Sequence, residues 1–243
     1  MNIALIGYGK MGKAIERMAQ HRGHTITAII QSSNKEQLNR EFLQHVEMVI
    51  ECTGPESAVT HLRFCFENGF PVVCGSTGWL HHWDSLIEIC QNQQGRFLYA
   101  SNFSIGVNLF FELNEYLAKL MRDYRQYVPR IEETHHTAKK DAPSGTAITL
   151  AKGITNNHSQ LNGWISGPSK EPNKLSIESF RIDPAPGTHV VRYESAVDTI
   201  DITHTAHNRD GFALGAVLAA EFLQKQQPGI YRMKDVLGIR QEF

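Results

Sequence analysis

The stretch Glu132 to Ala147 reads Glu-Glu-Thr-His-His-Thr-Ala-Lys-Lys-Asp-Ala-Pro-Ser-Gly-Thr-Ala, with paired imidazoles, paired amines and a Pro-Ser-Gly-Thr helix start. His135 and His136 titrate nearest neutral pH, while Lys139 and Lys140 carry fixed positive charge. Gly145 and Thr146 stand where a helix begins and can turn free backbone N–H groups toward a carboxylate. Proton transfer and anion binding thus share one segment, which suits a small acidic substrate. Two adjacent histidines alone would read equally well as a surface or hydrogen-bonded pair. Lys139, four residues from His135, and the turn chemistry of Asp141 to Thr146 favour the chemical reading. A metal is the weaker expectation, since no cysteine lies nearby and neighbouring residues on an extended segment face opposite sides. His158, His189, His204 and His207 read mostly as surface or packing residues.

The elements that must position this segment begin at the N-terminus. Ile3 to Ile6 form a buried strand, Gly7-Tyr8-Gly9-Lys10-Met11-Gly12 a tight turn, and Lys13 to His21 a helix. Glycines at 7, 9 and 12 in that setting let a pyrophosphate approach a helix N-terminus, as in dinucleotide-binding folds. The second strand, Thr25 to Ile30, ends in Gln31-Ser32-Ser33-Asn34-Lys35, where a ribose-gripping carboxylate would ordinarily stand. Nothing there repels a 2′-phosphate: Gln31, Ser32 and Ser33 can hydrogen-bond it, and Lys35 or Lys10 can add charge. NADPH is favoured slightly, and NADH stays admissible.

Further strands at Met48–Cys52, Pro71–Cys74 and Arg96–Ala100 alternate with helices at Ser57–Asn68 and Trp83–Gln93, which predicts a Rossmann-type, doubly wound parallel sheet. Gly75-Ser76-Thr77-Gly78 and Ser101-Asn102-Phe103-Ser104 follow strands at its carboxyl edge, where they can line the nicotinamide end. The texture then changes. A dinucleotide-binding domain is expected over 1–103 and a substrate-binding and oligomerisation domain over 104–211, with C-terminal helices (about 212–243) packing back on the first. The second domain is α+β. Helices at Asn108–Arg122 and Thr146–Ile154, a strand at Arg130–Thr134, a loop over Asn156–Asn173 and β-rich alternation from Leu175 to His204 predict an open, mixed and mostly antiparallel sheet.

Composition narrows the function. Lys plus Arg (24) nearly balance Asp plus Glu (25), so no global field recruits nucleic acid or an anionic membrane. The cysteines, Cys52, Cys65, Cys74 and Cys90, lack the close spacing of a zinc or redox site and read as buried free thiols. With no leader-like start and no apolar run of spanning length, the expectation is a soluble cytoplasmic protein.

The run His-His-x-x-Lys-x-Asp-Ala-Pro-Ser-Gly-Thr-Ala, His135 to Ala147, resembles the signature of the 4-hydroxy-tetrahydrodipicolinate (dihydrodipicolinate) reductases of lysine and diaminopimelate synthesis. Ser101 to Asn108, Gly75 to Trp79 and Asp235-Val236-Leu237 are similar to that family as well, so the resemblance runs through nearly the whole chain. It implies an NAD(P)H-dependent reductase and a homotetramer, with His135 as general acid or base and Lys139 as its partner. His136, Gly145 and Thr146 would hold the substrate carboxylates. Lys10, Met11, Thr53, Gly75, Ser76, Thr77, Ser101, Asn102, Phe103 and Arg209 fall where relatives touch the cofactor. The chain departs from relatives in lacking an acid near Gln31 and in being shorter between the second and third strands. Two rival readings are a nicotinamide oxidoreductase with another substrate, and a non-catalytic dinucleotide sensor.

Overall fold

The computed structural model of the chain describes residues 1–169 and 171–239. By internal contacts it divides into two units. Among the described residues, one joins Met1–Ile105 to 209–239, and the other is Gly106–Asn208. The sequence expectation had set these divisions at 103/104 and 211/212.

The first unit runs β1 (Asn2–Ile6), α1 (Lys10–His21), β2 (Thr25–Ile30), β3 (Met48–Glu51), α2 (Pro55–Glu67), β4 (Val72–Cys74), α3 (Trp83–Asn92) and β5 (Arg96–Tyr99). The second runs α4 (Ile105–Met121), β6 (Val128–His135), α5 (Gly145–Thr155), β7 (Trp164–Ser166), β8 (Leu175–Arg181), β9 (Gly187–Glu194) and β10 (Thr199–Ala206). The chain then returns to the first unit as α6 (Asp210–Gln224), β11 (Gly229–Tyr231) and α7 (Met233–Val236).

The first sheet has the order β11-β5-β4-β3-β1-β2, parallel throughout. Its strands read as continuous apolar runs because both faces are covered. Along β1, Ile3 and Leu5 join the core beneath α1 and α6, while Ala4 and Ile6 join the core beneath α2 and α3. β1 lies between β2 and β3, so the strand order reverses there, and ligands of such sheets bind beyond the carboxyl ends of the strands at that point. Gly7 follows β1 and Cys52 follows β3 at that crevice.

The second sheet, β10-β9-β6-β8-β7, is mixed. β10/β9 and β9/β6 pair antiparallel, while β6/β8 and β8/β7 pair parallel. That corrects the mostly antiparallel expectation. The connection from β6 through α5 makes β8 run parallel to β6, and residue alternation carries no sign of strand direction. β7 also falls inside the stretch read as a loop, because three residues give no usable period.

α6 approaches the sheet on small residues, Ala213, Ala216, Ala219 and Ala220, all buried. Gly215 is the tightest point, since a Cβ built there would lie 1.7 Å from the Phe103 carbonyl oxygen. The cysteines are unpaired, and Cys52 is only half-buried, unlike the other three. No helix among the described residues is long and apolar enough to cross a membrane.

Candidate functional site

β6 ends the second unit's central strand with an alternation in which Ile131, Glu133 and His135 point inward and Glu132, Thr134 and His136 lie on the other, half-buried side. His135 and His136 therefore face apart, as extended backbone requires. Strand register supplies the neighbours: Glu133 pairs with His189 of β9, and His135 with Arg181 of β8. Cross-strand partners share a face, so four polar side chains from three strands meet there.

The Glu133 carboxylate has no solvent exposure. It accepts the Ser144 N–H at 3.1 Å on both oxygens and the Arg181 guanidinium at 3.2 Å. The rings of His135 (Nδ1) and His189 (Nε2) lie 3.4 and 3.7 Å from it. Burial alone would raise this carboxyl, but hydrogen bonding from the Ser144 side chain, the charge of the His135 ring and the Arg181 guanidinium outweigh burial and hold it below the ordinary carboxylate range. Burial likewise pushes His135 down. Lys139 and Arg181 push it further, while Glu133 and Asp141 pull it back up. His189 is pushed down to about 4, mainly by burial, and its Nε2 lies 3.1 Å from Ser144 Oγ.

Ser144 also starts α5. Its Oγ accepts the Ala147 N–H at 3.2 Å, and the first helical bond runs from Ile148 N to Ser144 O. The amides of Gly145 and Thr146 come before that bond and so have no partner inside the helix. Gly145 is exposed, and a Cβ there would meet nothing within 4 Å. Lys139 Nζ is paired with both Asp141 oxygens at 2.8 and 2.9 Å, a partner the sequence reading had treated only as a turn residue. An anion arriving here competes with a carboxylate already in place.

Glu133, His135 and His189 bring one ligand atom each within 4.8 Å of one another, a spacing that a metal ion can use. A cation would have to share Glu133 with Arg181, so the charge arrangement favours holding a proton over holding a metal. Glu133, Arg181 and His189 were missed as functional groups by the sequence reading. The available signal was the inward alternation of Glu133 with His135, and of His189 with Val191 and Tyr193.

In the first unit, Gly7 has φ +98° and Gly12 lies so close that a Cβ would sit 2.3 Å from the Gly7 carbonyl oxygen. Gly9 starts α1 without a side-chain cap, and a Cβ there meets nothing. A turn this tight, with open space over an uncapped helix N-terminus, fits a dinucleotide pyrophosphate. A cavity of about 100 Å³ beside it is lined by Met11, Cys52, Gly75, Ser101, Asn102 and Phe103 among others. Five of the sequence-predicted cofactor residues meet there. Thr53 and Ser76 each adjoin a lining residue in sequence and Thr77 follows one further on, while Lys10, next to Met11, and Arg209 are exposed and outside the lining.

Gln31 and Ser32 are exposed at the end of β2, where the chain forms a 3-10 turn over Ser32–Gln37. Asn34 pins that turn, accepting the Gln31 N–H at 2.7 Å and donating to the Ile29 carbonyl at 2.9 Å. Beneath the crevice, Glu51 is fully buried. It accepts the Thr53 N–H at 3.1 Å, and the Cys74 thiol donates to it at 3.3 Å.

Residues 1–103 match the family described as "Dihydrodipicolinate reductase, N-terminus", and residues 106–237 match "Dihydrodipicolinate reductase, C-terminus". The chain belongs to the dihydrodipicolinate reductase family. A curated 4-hydroxy-tetrahydrodipicolinate reductase from Christiangramia forsetii is 46% identical over 238 residues, covering 98% of each chain. One from Alkaliphilus oremlandii is 30% identical over 246 residues, covering 98% of this chain and 99% of its own. Among solved structures, a dipicolinate-bound dihydrodipicolinate reductase from Paenisporosarcina sp. TG-14 shares the fold with a TM-score of 0.76 at 20% identity, covering 99% of both chains. The family assignment thus rests on both halves of the chain, including the stretch that holds His135 and Lys139.

Proposed function

We infer that the chain catalyses the NAD(P)H-dependent reduction of 4-hydroxy-tetrahydrodipicolinate to tetrahydrodipicolinate with loss of water, a step of lysine and diaminopimelate synthesis. The observation that carries the reading is His135, 3.4 Å from the buried Glu133 and paired in register with Arg181, in the same segment as the Gly145 and Thr146 amides that have no partner inside α5. The first unit holds the dinucleotide and the second holds the dicarboxylate. The reduced nicotinamide supplies hydride when bound. Gly7, Gly9 and Gly12 admit its pyrophosphate, with Lys10 and Met11 opening the helix behind them. Gln31 and Ser32 serve the adenosine ribose, and Thr53, Gly75, Ser76, Thr77, Ser101, Asn102, Phe103 and Arg209 serve the rest of the dinucleotide.

His136, Lys139 and the Gly145 and Thr146 amides bind the substrate carboxylates. Protonated His135, with Lys139 four residues further along the same segment, gives the proton that accompanies hydride addition to the ring. Holding both carboxylates fixes the reacting carbon, which removes orientational freedom before the chemical step. The enzyme works in the cytoplasm as a homotetramer built on the second unit, where Val128, Val197 and Ile200 leave apolar surface exposed.

The direct test follows reduced-nicotinamide absorbance after addition of freshly generated substrate, with NADPH and NADH in parallel. Oxidation is expected with at least one of them. Folded protein that binds cofactor yet oxidises neither would favour a dinucleotide sensor instead. Lys139→Ala is expected to raise the substrate KM about tenfold and to lower kcat, because it removes a cation facing the carboxylates. Unchanged steady-state constants would remove Lys139 from the site. Gln31→Asp is expected to weaken NADPH about tenfold more than NADH, through repulsion of the 2′-phosphate. Equal loss for both cofactors in equilibrium titrations would mean that residue 31 does not face the ribose.

A further inference from the structure

Glu133 is a fully buried carboxylate of the second unit and has no step of its own in the chemistry above. It nevertheless lies against His135 and the start of α5. One carboxylate receives the amide that opens α5, faces His135 Nδ1 at 3.4 Å and is clasped by Arg181. The Nδ1 atoms of His135 and His189 are both buried without a hydrogen-bond partner. On the far side of the His135 ring, a Cβ at residue 187 would lie 3.1 Å from Nε2, and glycine there keeps that nitrogen unobstructed.

We propose that Glu133 is a positioning residue for the reductive step: its carboxylate, 3.4 Å from His135 Nδ1, favours the protonated form of that ring with Nε2 presented, and sets the ring beside the start of the carboxylate-binding helix α5. The proposal rests on the reading of His135 as proton donor. The logic is electrostatic. A buried imidazole loses its proton readily, and the cations around this one, Lys139 on the following turn and Arg181 on β8, favour that loss. Asp141, in the turn after β6, opposes it from an exposed position, and His189 on β9 is uncharged at neutral pH. Glu133 is the only one of these groups that is at once anionic, enclosed and within 3.4 Å of the ring. Because the same carboxylate binds the Ser144 N–H, a shift of Glu133 moves the donor and the α5 amides together.

The test uses the full-length enzyme carrying Glu133→Gln, which keeps the shape and removes the charge. The His135 ring is followed by NMR across pH without substrate, and kcat/KM is measured over the same range. The expected result is a His135 midpoint at lower pH and a matching downward move of the alkaline limb, with kcat/KM above that limb falling about tenfold. Glu133→Asp, which retains the charge, should recover most of that displacement. A His135 midpoint that stays put or rises in Glu133→Gln overturns the proposal. A midpoint that falls while the rate limb stays put instead overturns His135 as donor, so the two failures are told apart. Should Glu133→Gln fail to fold, Arg181→Gln replaces it. Removing that cation must raise the His135 midpoint, and a midpoint unmoved or lowered overturns the proposal equally.

Discussion

His135→Gln is expected to lower kcat by about 10²–10⁴-fold, the range that general acid help typically contributes, while the dissociation constant for reduced dinucleotide stays unchanged. Glutamine keeps a hydrogen-bonding side chain but cannot deliver a proton at neutral pH. The residues proposed to hold the dinucleotide lie in the other unit, so their affinity is the internal control. Turnover surviving within a few-fold would end the donor assignment. The wild-type pH profile has a matching sign. The acid must be protonated to act, and burial lowers the His135 value, so kcat/KM falls as pH rises through that lowered value. On the proposed binding mode, a dicarboxylate beside Lys139 adds negative charge and is expected to pull the value up. The alkaline limb of kcat is therefore expected at higher pH than that of kcat/KM, and coincident limbs would argue that substrate charge does not reach His135.

Gly215→Ala is expected to cost about 3 kcal/mol or more and to weaken dinucleotide binding with it. The added methyl would lie 1.7 Å from the Phe103 carbonyl oxygen, and backbone cannot rotate away as a side chain can. Either α6 lifts from the sheet or the strand-end segment carrying Phe103 shifts, and Phe103 lines the candidate dinucleotide cavity. For a chain of this length the melting transition should fall by roughly 6–12 °C. Gly211→Ala, in the same helix, is the contrast, because a Cβ there meets nothing within 4 Å and alanine is the better helix former. If both variants melt alike, the close approach at Gly215 is not what limits the packing of α6.

The parts of the molecule that could be read from the sequence are those whose signals are local. The β1-turn-α1 opening declares itself because an apolar run, a glycine turn and a helix follow one another within 21 residues. The histidine segment is legible for the same reason. What stayed hidden depends on register. Arg181 and His189 are 48 and 56 residues from Glu133 along the chain, and only strand pairing brings them to it. β7 and β11 are three residues each, too short to show a period, and the parallel pairing of β6 with β8 leaves no mark on alternation. The Lys139–Asp141 pair was hidden differently: both residues were in view, but a flexible amine chooses its partner from the turn it sits on.

The return of α6, β11 and α7 to the first unit reverses the usual order of maturation on the ribosome. Residues 1–105 emerge first, yet one face of their sheet is covered by Ala213, Ala216, Val217, Ala219, Ala220 and Leu223, which are made last. Residues 106–208 are contiguous and bring their own core, so that unit can close while its predecessor still shows a bare apolar face. During synthesis the N-terminal segment is therefore the part of the nascent chain most in need of protection from aggregation, although it is the oldest.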